Sequence, residues 1–218
     1  MPITLAVKVL YGLLFSGMGC FAAYISIYYR DMGLTGKEIG LIYSCSAFIG
    51  IFSQPFWGVQ VDKRGRSKDI LILCSALGSI IFTSVVWART FPQFLIIMAI
   101  AACFAPGIGS LIDSLTFREL KEQGRHLYAN YRIWGTVAFM TAAIVIGRVS
   151  DKLGGIEINF ICYGLFMALF ALCAMFFLHE KKIVPHPHAK KLPGWESVKQ
   201  VLRQREFMLL VFCLFLVF

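Results

Sequence analysis

Residues Phe94–Phe117 read FLIIMAIAACFAPGIGSLIDSLTF, 24 positions with a single charged side chain, Asp113. At about 1.5 Å of rise per residue an α-helix of this length crosses the roughly 30 Å hydrocarbon layer of a bilayer. A helix at a soluble surface keeps one apolar stripe, whereas this segment is apolar on every face and therefore belongs in lipid or in the interior of a helical bundle. Working outward, five further stretches have the same character: Leu5–Tyr29, Gly40–Val61, Ile70–Ala88, Ile133–Val149 and Ile158–Leu178. With 58% apolar and 15% charged residues in 218 and a mean hydropathy of +0.73, the chain holds more apolar surface than one soluble core can bury. The pattern predicts an all-α integral membrane protein.

The six expected spans occupy residues 1–178 as one bundle. The stretch His179–Glu206 is polar, carries Pro185, Pro187 and Pro193, and then places Trp195, Val198, Val201 and Leu202 on one helical face. It reads as a cytoplasmic linker ending in a basic interfacial helix on an anionic leaflet. A seventh span starts near Phe207 and stops at Phe218, about 18 Å of helix, too short to cross; residues 207–218 are expected to be the truncated start of span seven. The first stretch is read as a retained helix, because it is long for a signal peptide and lacks a small-x-small cleavage site.

Net charge of +9 does not mark a nucleic-acid surface, since the basic residues follow the loops. Of the 21 Lys and Arg, 15 fall after spans two, four and six, and 5 (Arg30, Lys37, Arg89, Arg148, Lys152) on the opposite side. By the positive-inside rule the N-terminus is cytoplasmic. Three spans per block then enter from opposite sides, a 3+3 inverted repeat, an arrangement that places solute sites near the midplane where the repeats meet.

All seven Cys lie in apolar spans without a CxxC, and His126, His179, His186 and His188 lie in cytoplasmic segments, so no metal site and no cofactor are expected. A membrane-embedded transferase would need catalytic His, paired Asp or a Gly-rich phosphate loop, and none stands out. Small residues gather in span one (Gly12, Gly17, Gly19, Ala22, Ala23) and span four (Ala101, Ala102, Ala105, Gly107, Gly109, Ser110), where they permit close backbone approach. Pro106 removes a backbone donor from span four and predicts a bend.

Two places carry function. The first is the loop after span two, Gly58-Val-Gln-Val-Asp62-Lys63-Arg64-Gly65-Arg66-Ser67-Lys68. Gly58 permits close helix contact, Asp62 suits a helix N-terminus or an Arg, and Gly65 makes the turn. The second is Asp113, a carboxylate whose burial in an apolar span costs several kcal/mol unless it finds a partner or water, about the magnitude that marks such residues as functional candidates. Its natural partner is Arg132 at the start of span five, followed on the same face by Gly135, Thr136 and Phe139. The alternative is that both snorkel into water at the cytoplasmic interface, with Arg118 and Glu119 close by.

The loop resembles the major facilitator superfamily motif G-x-x-x-D-[RK]-x-G-[RK]-x-[RK], matching at Gly58, Asp62, Lys63, Gly65, Arg66 and Lys68. The resemblance implies that these residues form a charge relay latching the cytoplasmic gate in the outward-open state. The runs Gln54-Pro55-Phe56-Trp57-Gly58 and Tyr131-Arg132-Ile133-Trp134-Gly135, with the Asp113 segment, resemble the branch that contains lactose permease and the phenylpropionate and nucleoside proton symporters. It implies that Asp113 and Arg132 bind solute, that Phe139 stands where an aromatic packs on the solute ring, and that Phe replacing Trp there weakens the case for a galactoside. Tyr24 and Tyr28 in span one could line the same cavity, though aromatics near a helix end also serve as interface anchors.

The function expected is therefore transport, not enzymatic chemistry: proton-coupled uptake of a small organic solute such as a sugar, nucleoside or aromatic acid by alternating access. Its partners are the solute, protons and membrane lipids, and no nucleic acid. The resemblance puts the coupling residues in a C-terminal half and implies a full-length monomer in a bacterial inner membrane. A non-transporting relative acting as sensor or scaffold is the alternative.

Overall fold

The structure is a computed structural model and describes residues 3–119 and 128–178. The elements are α1 (Ile3–Ala22), α2 (Ile25–Asp31), α3 (Gly36–Arg64), α4 (Ser67–Thr83) with a closing 3₁₀ turn (Ser84–Trp87), α5 (Phe91–Glu119), α6 (Tyr128–Leu153) and α7 (Glu157–Phe177). Together they supply six spans long and apolar enough to cross a membrane: Leu5–Asp31, Gly36–Val61, Ser67–Trp87, Phe91–Phe117, Tyr128–Lys152 and Glu157–Phe177. The expected linker at 179–206 and the seventh span at 207–218 lie outside the described residues.

The helix α3 runs past its apolar stretch because capping chemistry, not hydropathy, sets its ends. Thr35 accepts from the Glu38 backbone N–H at the start of α3 while the Glu38 carboxylate accepts from the Thr35 N–H at 2.7 Å, a reciprocal capping box. At the other end Gly65 adopts φ +65° and its N–H reaches the Val61 carbonyl at 2.8 Å. Only a residue without a Cβ enters that left-handed region freely, so a glycine ends the helix here. The helix of span five already includes Tyr128, five residues before the expected Ile133, so Tyr128 and Arg132 both lie in it.

Span one is two helices, not one. The chain turns at Ala23–Tyr24, where the Tyr24 N–H bonds the Phe21 carbonyl, and α2 resumes at Ile25. Tertiary contacts hold this break. Tyr24 donates its hydroxyl to the Ala143 carbonyl of α6 at 2.6 Å. Phe21 packs edge-on against Phe82 and Phe160 with centroids 4.7 and 5.4 Å away, and Tyr28 does so against Phe160 and Phe94. These rings, from α1, α2, α4, α5 and α7, are all buried in the core.

The packing has the symmetry of an inverted repeat. α1 packs on α6 and α7, α5 packs on α3 and α4, and α4 packs on α7. Exchanging spans one, two and three with four, five and six maps each of these pairs onto another, or onto itself for α4 and α7. Small residues set the separations: a Cβ added at Gly19 of α1 would lie 2.5 Å from the Phe139 carbonyl oxygen of α6. Cys20 and Cys74 are buried, whereas Cys103 is exposed, and all six described cysteines are unbridged. Large apolar side chains such as Phe48, Ile51, Phe52, Ile80 and Phe176 stay exposed on the outside, the surplus that the composition assigned to lipid.

Candidate functional site

Three helices bring polar side chains together where they remain partly exposed. α5 supplies Asp113, seven residues or about two turns after Pro106 and about 9 Å of helix axis inside its Glu119 end. α6 supplies Tyr128 and Arg132, four apart and so on one face. α1 supplies Tyr11, which is fully buried. Tyr11 and Tyr128 both donate their hydroxyls to Asp113 Oδ1, the second at 3.0 Å. Arg132 Nη1 donates to the Tyr128 hydroxyl at 3.1 Å and stands 3.6 Å from Asp113 Oδ2.

Aromatic faces orient these groups. The Arg132 guanidinium sits 5.9 Å from the centroid of Phe15, and Tyr128 stacks on Phe117 at 4.3 Å and 19°. Gly135 makes room for Phe15, because a Cβ there would lie 2.7 Å from the ring's Cδ2. The carboxylate thus meets two phenol donors and a cation instead of reaching individually for water, and both charged side chains keep part of their surface free, 32% for Asp113 and 53% for Arg132. A guanidinium presents a planar fork of N–H donors, and among the described residues this one donates to the Tyr128 hydroxyl and stands beside Asp113. A solute that brings hydroxyl, carbonyl or carboxylate oxygens could accept from the same fork.

Of the residues expected at the site, the structure brings Asp113 and Arg132 into contact. Phe139 lies two turns further along α6 and is half-buried, its backbone carbonyl facing Gly19. Tyr24 spends its hydroxyl on the α6 backbone at Ala143. Tyr28 is fully buried, with Arg89 Nη1 donating to its hydroxyl at 3.1 Å and its ring among Phe94 and Phe160. Neither tyrosine contacts the Asp113 cluster. Reading along the sequence missed Tyr11, Phe15 and Tyr128. Tyr11 and Phe15 are four apart on α1, a spacing that signals one face, but nothing in sequence says which helix that face meets. Lys8, on the same helix, lies 5.8 and 5.7 Å from the ring centroids of Tyr131 and Trp134, a cation held by two aromatic faces.

Residues 4–218 match the family described as MFS_1 like. The chain belongs to the MFS_1 like family. It corresponds to the N-terminal six-helix half of a major facilitator superfamily fold. It is 32% identical over 170 residues to the uncharacterized transporter YwbF of Bacillus subtilis, covering 78% of this chain and 42% of that one. It is 27% identical to the maltose permease of Geobacillus stearothermophilus, with 95% and 51% covered, and 26% identical to the nucleoside permease NupG of Escherichia coli, with 88% and 45% covered. The fold superposes on a crystal structure of the nucleoside transporter NupG with a TM-score of 0.74 at 21% identity, and on that of a point mutant with 0.81 at 20%, covering 83% and 96% of this chain and 45% and 53% of those. The chain spans about half the length of the curated relatives it matches.

In this MFS_1-like chain the loop motif after span two is a helix end and a cap. Gly65 supplies the left-handed turn between α3 and α4. Arg66 pairs with Asp69 at 3.2 Å in an exposed position. Lys68 donates from Nζ to the Met175 carbonyl in the last turn of α7 at 2.7 Å, where a cation complements the negative end of the helix dipole. Lys63 is exposed, and the Asp62 side chain lies outside the described residues. A Cβ at Gly58 would meet nothing within 4 Å, so the close helix approach expected there is not made among the described residues.

Proposed function

We propose that this chain is half of a secondary active transporter carrying a small polar organic solute, with Asp113 and Arg132 contacting it. The observation that carries the reading is the inter-helical cluster itself: an Asp113–Arg132 pair 3.6 Å apart, joined by Tyr11 and Tyr128, partly open and on three different helices. Charges in apolar spans are costly, so a cluster of this kind is retained where it serves a solute or ion pathway. Similarity to a nucleoside permease and a maltose permease favours a solute rich in hydroxyl and carbonyl oxygens, such as a nucleoside or sugar, with an aromatic acid as a further member of the class. Phe139 supplies an apolar face two turns from Arg132 for its ring. The loop from Gly58 to Lys68, with Asp62 and Lys63 within it, is the proposed inner gate. Coupling to protons, an inward direction and a monomer in a bacterial inner membrane with a cytoplasmic N-terminus complete the reading.

Similarity to the multidrug resistance protein MdtG of Rahnella, 28% identical with 91% of this chain covered, favours a second reading in which the solute is an apolar drug. The polar cluster argues against it, because an apolar ligand would leave the guanidinium donors unsatisfied.

The test is uptake by the full-length protein in energised membrane vesicles. Radiolabelled uridine, maltose and 3-phenylpropionate would be offered with and without an imposed inward proton gradient, alongside Asp113→Asn and Arg132→Ala. Gradient-driven uptake of one of these, lost in both variants, is expected. Uptake indifferent to both substitutions would remove the pair from the site.

A further inference from the structure

Two of the described helices carry an internal proline, Pro55 in α3 and Pro106 in α5, and α3 meets α5 beside Pro106. Pro106 has no N–H for the Ala102 carbonyl, and its ring crowds that carbonyl, opening the turn Ala102–Pro106. Two donors from α3 converge on that same turn. Ser53 Oγ donates to the Cys103 carbonyl at 2.5 Å, and Trp57 Nε1 donates to it at 2.6 Å. Ser53 is 8% exposed, and it and Trp57 are four apart, so one face of α3 presents both.

The fit is steric as well as polar. Trp57 lies against Gly107, where an added Cβ would sit 3.1 Å from the indole Cδ1, and its ring tilts over Phe104 at 5.8 Å. One turn back, a Cβ at Gly50 would sit 3.5 Å from the Pro106 ring. The residues around Pro106 are thus the sizes that let α3 approach it, and both donors meet the carbonyl next to the one that Pro106 leaves without its N–H. Asp113 follows two turns later on the same helix, so the direction of α5 beyond Pro106 decides where that carboxylate lies relative to Arg132 on α6.

We infer that Ser53 and Trp57 form a bracket that fixes the Pro106 bend, and that Trp57 is a positioning residue for Asp113. The inference rests on the proposed solute role of Asp113 and Arg132. Two donors sharing one acceptor have a diagnostic signature: removing either leaves one inter-helical bond to the Cys103 carbonyl, and removing both leaves it only the N–H of its own helix. Trp57→Phe keeps a ring over Gly107 and loses only the N–H; Ser53→Ala loses only the hydroxyl.

The first measurement is KM and maximal uptake of whichever of uridine, maltose or 3-phenylpropionate the full-length protein carries. Each single variant is expected to raise KM by no more than about twofold and the double variant by about tenfold, beyond the product of the singles. In a Pro106→Ala background, where the Ala102 carbonyl regains its intrahelical donor and the turn no longer needs holding from outside, the excess of the double variant should shrink. A loss of packing alone would lower the amount of folded protein without this pattern. The second measurement needs no solute: hydrogen–deuterium exchange across residues 99–112 should be about tenfold faster in the double variant than in either single. Multiplicative KM effects with unchanged exchange would overturn the bracket. Asp113→Asn and Arg132→Ala that leave uptake intact, with exchange still accelerated in the double variant, would keep the bracket and overturn the solute site it serves.

Discussion

Replacing Gly19 with alanine should separate two helices that the fold holds unusually close. A methyl at this position would lie 2.5 Å from the Phe139 carbonyl oxygen and 3.3 Å from the Ala143 nitrogen, both on the backbone of α6. Ordinary contact needs about 3.4 Å, so the methyl must gain nearly 1 Å, and no side-chain rotation can supply it because the obstacles are main-chain atoms. Overpacking of this kind costs about 1–3 kcal/mol. Against it stands the helix propensity of alanine over glycine, about 1 kcal/mol. Gly12→Ala and Gly109→Ala isolate that second effect, since an added Cβ at either meets nothing within 4 Å. Thermal unfolding of the purified protein in detergent, followed by intrinsic fluorescence, should show the controls at or slightly above the parent. Gly19→Ala should fall below the controls by several degrees, taking about 2–4 °C per kcal/mol for a domain of this size. The displaced α6 also carries Arg132, whose guanidinium rests 5.9 Å from the Phe15 centroid on α1, so solute affinity should weaken with stability. A Gly19→Ala protein as stable as Gly12→Ala would refute the close crossing of α1 and α6.

Tyr11→Phe removes one of the two hydroxyls donated to Asp113 Oδ1 while keeping the buried ring. A hydrogen bond to a charged group is worth about 1.5–3 kcal/mol, so uptake affinity should fall at least tenfold in vesicle assays with folding preserved; unchanged affinity would show that Tyr11 is only core. Gly65→Ala places a Cβ at φ +65°, a strain of about 1–2 kcal/mol for a residue in the left-handed region. Its melting temperature should drop by a few degrees, and Gly65→Asn, which tolerates that region better, should recover part of the loss.

The reading of Phe94–Phe117 as a span needed no structure, because hydrocarbon thickness and helix rise fix how many apolar residues must run together. Asp113 was conspicuous for the same reason: one carboxylate among 24 residues has no neighbour in its own helix to answer it. Helix ends were less legible. Hydropathy placed Arg132 at the mouth of span five, while the helix already includes Tyr128 one turn earlier, the residue bridging Arg132 and Asp113.

Chain-local physics is enough to read the six spans, the glycine that ends α3, the proline inside α5 and the acid that wants a cation. Which partners answer them is settled by the packing of the helices. Tyr11 reaches Asp113 across 102 residues of sequence, and Trp57 reaches the Cys103 carbonyl across 46. In a membrane every face of a span is apolar, so periodicity does not reveal which face meets which helix. Small residues and polar atoms choose the contacts, through steric fit and hydrogen bonds that exist only once the helices are side by side.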